Sequence, residues 1–75
     1  MKVTVVLGSW AEKYVQVERV ELELPDGATV VDAIEAVGVP VDAVGFGVVG
    51  GNAVRKDYKL VDGMEVALYP PIVGG

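Results

Sequence analysis

Val20-Glu21-Leu22-Glu23-Leu24-Pro25-Asp26-Gly27-Ala28-Thr29-Val30-Val31-Asp32-Ala33-Ile34-Glu35-Ala36-Val37-Gly38 changes its hydrophobic period partway along, and that change decides the fold. From Val20 to Leu24 apolar and acidic residues alternate strictly, which predicts a strand with one buried and one wet face. Pro25-Asp26-Gly27 ends it as a turn, because proline presets φ and glycine tolerates positive φ. Thr29 then stands as an N-cap candidate. Asp32 follows three residues on, close to capping-box spacing and favourable to the helix dipole. Val30, Ile34 and Val37 share one helical face, Val31 and Ala33 widen the stripe, and Asp32 and Glu35 face water. Gly38 is the expected residue after the helix, and Pro40 forbids continuation. A helix of roughly two to three turns is not stable alone, so it must pack on a sheet.

Working outward, Val3, Val5 and Leu7 alternate with Lys2, Thr4 and Val6, the period of a first strand. Gly8-Ser9 breaks it. Trp10 to Gln16 is a wide loop or a hairpin bend, with Trp10 read as an anchor at the core edge. Beyond the helix, residues 44–49 form an apolar, β-branched third strand centred on Phe46, and Gly50-Gly51-Asn52 is a turn. Ala53-Val54-Arg55 is a brief strand, and Lys56 to Leu60 is irregular or a single turn. Asp62-Gly63 is a hairpin-type turn signal, and Glu65 to Tyr69 is the last strand, with Val66 and Leu68 on one face.

One helix lying across one face of a mixed sheet of four to five strands satisfies this order, and the helix supplies the crossover that parallel strands need. The predicted class is α+β, with the layout of a β-grasp: residues 1–69 as the domain and 70–75 as an extended tail. If Val3, Val5, Leu7, Val66 and Leu68 point at the helix, then Thr4, Val6, Ala67 and Tyr69 point away from it. That open face is apolar for a solvated surface and is expected to be a partner site. The plainer reading is that scattered exposed apolar residues are normal.

Composition narrows the chemistry. The chain has 75 residues, enough for one domain, and 52% are hydrophobic, enough for a compact core. It contains no cysteine and no histidine. That excludes disulfides and thiolate metal sites, and removes the usual general base near neutral pH; no metal site is expected. Eleven acidic against six basic residues give a net charge of -5, the wrong balance for a nucleic-acid binder. An acidic surface suits a basic protein partner or serves solubility. Met1-Lys2-Val3-Thr4 lacks the layout of a secretory signal, and no uncharged apolar run would span a bilayer, so the expected location is cytoplasmic, with no membrane contact.

The last six residues are Pro70-Pro71-Ile72-Val73-Gly74-Gly75. Two prolines lack backbone donors, so the sheet ladder should stop there and the exit should stiffen into an extended shape. Six extended residues reach about 20 Å. A tip of two glycines has no Cβ atoms, so it can thread a narrow channel and bring backbone close to a ligand. If Gly75 is the terminus, the group delivered is a carboxylate. A carboxylate is a poor electrophile, and joining it to a nucleotide phosphate would supply a leaving group. The chain has no phosphate-binding loop, so a separate enzyme must supply the ATP site. Glycine-rich chain ends are common. What sets this one apart is its place directly after a strand and a Pro-Pro pair.

Leu60-Val61-Asp62-Gly63-Met64-Glu65-Val66-Ala67-Leu68-Tyr69-Pro70-Pro71-Ile72-Val73-Gly74-Gly75 resembles the end of the MoaD/ThiS family of ubiquitin-like sulfur carriers. The shared pattern is a leucine, an Asp-Gly turn, an acidic residue, a strand, an aromatic, Pro-Pro and Gly-Gly. The Pro-Pro form is most similar to the small subunit of molybdopterin synthase. Met64, the Gly50-Gly51-Asn52 order and a short segment after Leu7 depart from that pattern. The resemblance implies that Gly75 is adenylated by an ATP-dependent enzyme similar to ubiquitin-activating enzymes and converted to a thiocarboxylate. It implies that Pro70, Pro71, Ile72, Val73 and Gly74 thread the active site of a larger synthase subunit, where the sulfur goes to molybdopterin. The carrier itself would contribute no catalytic side chain and bind no cofactor. Carriers for thiamine, tRNA thiolation or a tungsten cofactor share this logic. A ubiquitin-like protein modifier and a binding module using only the open face are the other readings.

Overall fold

A computed structural model describes residues 1–72. Five strands, β1 (Lys2–Val6), β2 (Arg19–Glu23), β3 (Phe46–Val49), β4 (Asn52–Val54) and β5 (Glu65–Tyr69), form one sheet in the order β2-β1-β5-β3-β4. β1 and β5 are parallel, with Val5 opposite Val66; β1–β2, β3–β4 and β3–β5 are antiparallel. The helix α1 (Val30–Val37) carries the chain from the β2 side of the sheet toward β3. This is the β-grasp fold expected from the sequence.

The helix forms where its end signals put it. The Asp32 carboxylate accepts the Thr29 backbone N–H at 2.8 Å, satisfying a donor that has no partner within the helix. At the other end Gly38 adopts φ 92°, a left-handed conformation that costs glycine little, and its N–H is accepted by carbonyls of the last turn. Val30, Ala33 and Ile34 are buried; Val37 and Val31 are half-buried at the stripe's margins. They meet Val3, Val5, Leu7, Val66 and Leu68 from the sheet, and Ala11, Val39, Val44 and Leu60 close the rim.

Three local expectations are corrected. The third strand starts at Phe46 rather than Val44, because a 3-10 turn over Val41–Ala43 precedes it and Val44 serves as a buried plug. The segment from Trp10 is the expected wide loop, joining the antiparallel β1 and β2, and it opens with a 3-10 turn over Ser9–Ala11 in which Ala11 is buried. Gly50 and Gly51 alone are the hairpin loop, with φ of 58° and 84°, so Asn52 already belongs to β4, opposite Val49. Asp62-Gly63 is a β-turn but not a hairpin: the Met64 N–H reaches the Val61 carbonyl at 3.1 Å, while β5 pairs with β1 and β3. The turn chemistry was read correctly; its partner strands were not encoded locally.

Candidate functional site

β5 runs through the middle of the sheet and ends at Tyr69, and Pro70 and Pro71 follow. Neither proline can donate to a ladder, so pairing with β3 stops after one last bond, from the Gly45 N–H to the Tyr69 carbonyl at 2.8 Å. The two prolines then pass directly over Gly45: a Cβ placed there would lie 2.6 Å from the Pro71 Cα. Ile72 stands out from the body at 84% exposure. Val73, Gly74 and Gly75, the tail positions expected to thread a partner and carry the reactive group, lie outside the described residues.

Beside this exit is the sheet face that α1 does not cover. Strand pleating alternates side chains between faces. Val3, Val5, Val66 and Leu68 go to the core, and Thr4, Val6, Ala67 and Tyr69 go to the open side. The first three are half-buried by their neighbours; Tyr69 is exposed. Register brings them together: Val6 sits opposite Ala67 on β5, and Ala67 opposite Val48 on β3. Tyr69 stacks on Phe46 across the β3–β5 pair, with ring centroids 5.4 Å apart and planes 13° from parallel. Arg19 on β2 pairs with Glu65 on β5, reaching over β1 at the margin of this apolar strip. Phe46, Val48 and Arg19 were not picked out from the sequence. The signal was available in the alternation of β3, but only after its register against β5 is known.

Trp10 is half-buried against the core, and its Nε1–H donates to the Leu68 carbonyl at 3.2 Å. The ring therefore ties the loop after β1 to β5, one residue before Tyr69. A shallow groove between the Gly50-Gly51 turn and the Asp62-Gly63 turn borders the open face at Val48, Glu65 and Ala67. Among the described residues no group of three or more carboxylates is placed to hold a metal ion, and no helix is long and apolar enough to cross a membrane. What the arrangement offers is a stiffened segment leaving a central strand next to an apolar face.

Residues 7–73 match the family model of the Mut7-C ubiquitin domain. The chain belongs to the Mut7-C ubiquitin family. Its likeness to solved structures spans essentially whole chains. A Pyrococcus furiosus protein proposed to be molybdopterin converting factor subunit 1 is 27% identical, with 96% of this chain and 99% of that one covered and a TM-score of 0.70. SAMP1 from Haloferax volcanii is 24% identical over 100% of both chains, also at 0.70. A ubiquitin-like protein from Caldiarchaeum subterraneum superposes at 0.55 with 22% identity, covering 99% of this chain and 100% of that one. The last two show the fold alone. A search of the curated proteins finds no match. The resemblance to MoaD/ThiS-like ubiquitin folds, which follows the order of elements along nearly the whole chain and is sharpest over the closing sixteen residues, is supported by this family match and by the likeness to the P. furiosus protein.

Proposed function

We propose that the chain is a sulfur carrier that works through the carboxylate of Gly75. The observation that supports this best is the exit of Pro70–Ile72 from the middle of the sheet, beside the open face, with Ile72 84% exposed. In this reading an ATP-dependent adenylating enzyme docks on Thr4, Val6, Ala67 and Tyr69 and takes the tail into its nucleotide site. The carboxylate oxygen attacks the α-phosphorus of ATP and expels pyrophosphate. Hydrosulfide then adds to the acyl carbon and expels AMP, and loss of its proton leaves a thiocarboxylate. The carrier supplies reach and slimness, and the partner supplies the catalytic groups. The sulfur acceptor is the large subunit of molybdopterin synthase or an equivalent enzyme, in keeping with the likeness to a molybdopterin converting factor subunit. Intact-mass measurement of protein taken from its native host should find one oxygen replaced by sulfur. Protein that stays unmodified in a host whose sulfur pathway is running would overturn the reading.

A second reading is attachment of Gly75 to lysines of target proteins, as the name of the H. volcanii chain of like fold, small archaeal modifier protein 1, would describe. That reading requires higher-mass conjugates on a denaturing gel that vanish when Gly74-Gly75 are deleted. If deletion changes nothing while charged substitutions on the open face abolish activity, the chain is a binding module and the tail is idle.

A further inference from the structure

We infer that Gly45 is a positioning residue that sets the direction in which the C-terminal segment leaves the sheet. Its importance for tail activation rests on the carrier reading; its effect on the segment's path does not. Gly45 precedes β3, and its backbone N–H makes the last rung between β3 and β5 by donating to the Tyr69 carbonyl at 2.8 Å. Beyond that rung the next two residues are prolines, which have no N–H to donate, so hydrogen bonding to β3 cannot steer them. What holds them is contact. A Cβ on residue 45 would meet the Pro71 Cα at 2.6 Å, the Pro71 N at 2.9 Å and the Pro70 carbonyl oxygen at 3.0 Å.

All three atoms belong to the backbone. No rotamer change could relieve the overlap, and each proline ring fixes its own φ, so the segment could not bend locally around an added methyl. A side chain at residue 45 would have to lever the Pro70-Pro71 unit off the sheet. The contrast with the turn glycines is informative: Gly27, Gly50, Gly51 and Gly63 have positive φ and nothing within 4 Å of an added Cβ. They are glycines for their backbone angles. Gly45 is a glycine because the outgoing chain occupies the space of its side chain. The 3-10 turn over Val41–Ala43 and the buried Val44 fix the approach to this position, so the platform under the prolines is part of the rigid body.

A reactive group carried on a stiff lever is sensitive to the lever's angle. A displacement on the order of 1 Å at a reacting centre can cost 10²-fold in rate. Gly45→Ala should therefore leave docking on the open face nearly unchanged while misdirecting the tip.

The experiment has two arms. In the first, proton NMR of the unsubstituted chain should show an Overhauser contact between the α-protons of Gly45 and Pro71. In Gly45→Ala that contact should vanish and the Ile72 resonances should shift, with Val5 and Val66 unmoved. Absence of the contact in the unsubstituted chain, or its survival in the variant, overturns the inference; the first of these needs no variant to fold. In the second arm, pyrophosphate release from ATP by the adenylating enzyme of the native host is followed. Gly45→Ala should lower kcat on the order of tenfold or more with little change in KM, and adding Pro71→Gly, which frees the backbone to find its way round the methyl, should restore part of the rate. Equal kcat for the folded variant and the unsubstituted chain overturns the claimed effect on activation. If the unsubstituted chain releases no pyrophosphate while the NMR contact behaves as expected, the carrier reading fails and the positioning role of Gly45 stands.

Discussion

Lys2 and Asp62 hold each other at one edge of the domain although 60 residues separate them: the Lys2 backbone N–H donates to Asp62 Oδ1 at 2.7 Å. The Lys2 carbonyl in turn accepts the Gly63 N–H at 2.7 Å. The turn before β5 is thus fastened to the start of β1, and the two strands enter their parallel pairing in register. Asp62→Ala should cost about 1–2 kcal/mol, since the bond is charge-assisted but exposed. Asp62→Asn keeps an acceptor and should cost less. Urea unfolding of the two variants measures the difference; equal losses would mean that a neutral acceptor recovers nothing and the carboxylate's charge carries the bond, and no loss in either would mean that the bond contributes nothing.

Ile34 is fully buried where α1 meets the sheet. Ile34→Ala should lose about 2–5 kcal/mol through lost transfer energy and the cavity left behind. For a small domain that is a large share of the total stability. The urea midpoint should fall sharply while the slope stays constant, showing the same surface exposed on unfolding.

Asp32 anchors the start of the same helix through the Thr29 N–H. Asp32→Ala should cost about 0.5–2 kcal/mol. Loss should appear as faster hydrogen exchange at Thr29 and the first helical turn before any global effect. Uniform acceleration across the sheet would instead mark the helix and sheet as one unit that opens only together.

Tyr69 contributes modestly to the fold, since its ring is exposed and its stack on Phe46 is worth about 0.5–1.5 kcal/mol. In the carrier reading it contributes more to docking. Tyr69→Ala should weaken binding to the adenylating enzyme by about tenfold or more, the size expected of an aromatic anchor. Titration calorimetry with that enzyme, set beside the unfolding curve, separates the two effects, and unchanged affinity would remove the open face from the docking surface.

In the carrier reading, in which Gly75 carries the free carboxylate, one residue added after it should abolish activation, because the carbonyl to be adenylated would then be a peptide amide. Gly74→Val, five positions past β5 in sequence, is expected in the same reading to leave the urea midpoint unchanged and to slow activation by widening the tip. Full activity of either variant contradicts a mechanism that works through the chain's end.

The helix and the first, second and last strands were legible because each carries its own punctuation. Thr29, Asp32 and Gly38 mark α1 chemically, and the alternation of β1, β2 and β5 needs no partner to be read. What escaped was whatever depends on distant residues. Asp62-Gly63 has the composition of a hairpin turn whichever strands flank it, so sequence could not say that β5 pairs with β1 and β3 instead. Phe46 and Val48 join the open face only through the register of β3 on β5. Gly45 looked like any glycine in an apolar run, because the atoms that demand it belong to Pro70 and Pro71.

Parallel pairing of β1 with β5 places the first and last strands of the described residues side by side at the heart of the sheet. During synthesis β1 must therefore wait, with only β2 for company, until almost the whole domain has left the ribosome. Folding is consequently a late, nonlocal event, governed by closure of the long loop between β1 and β5. A chain cut short before Glu65 leaves an apolar first strand without its central neighbour.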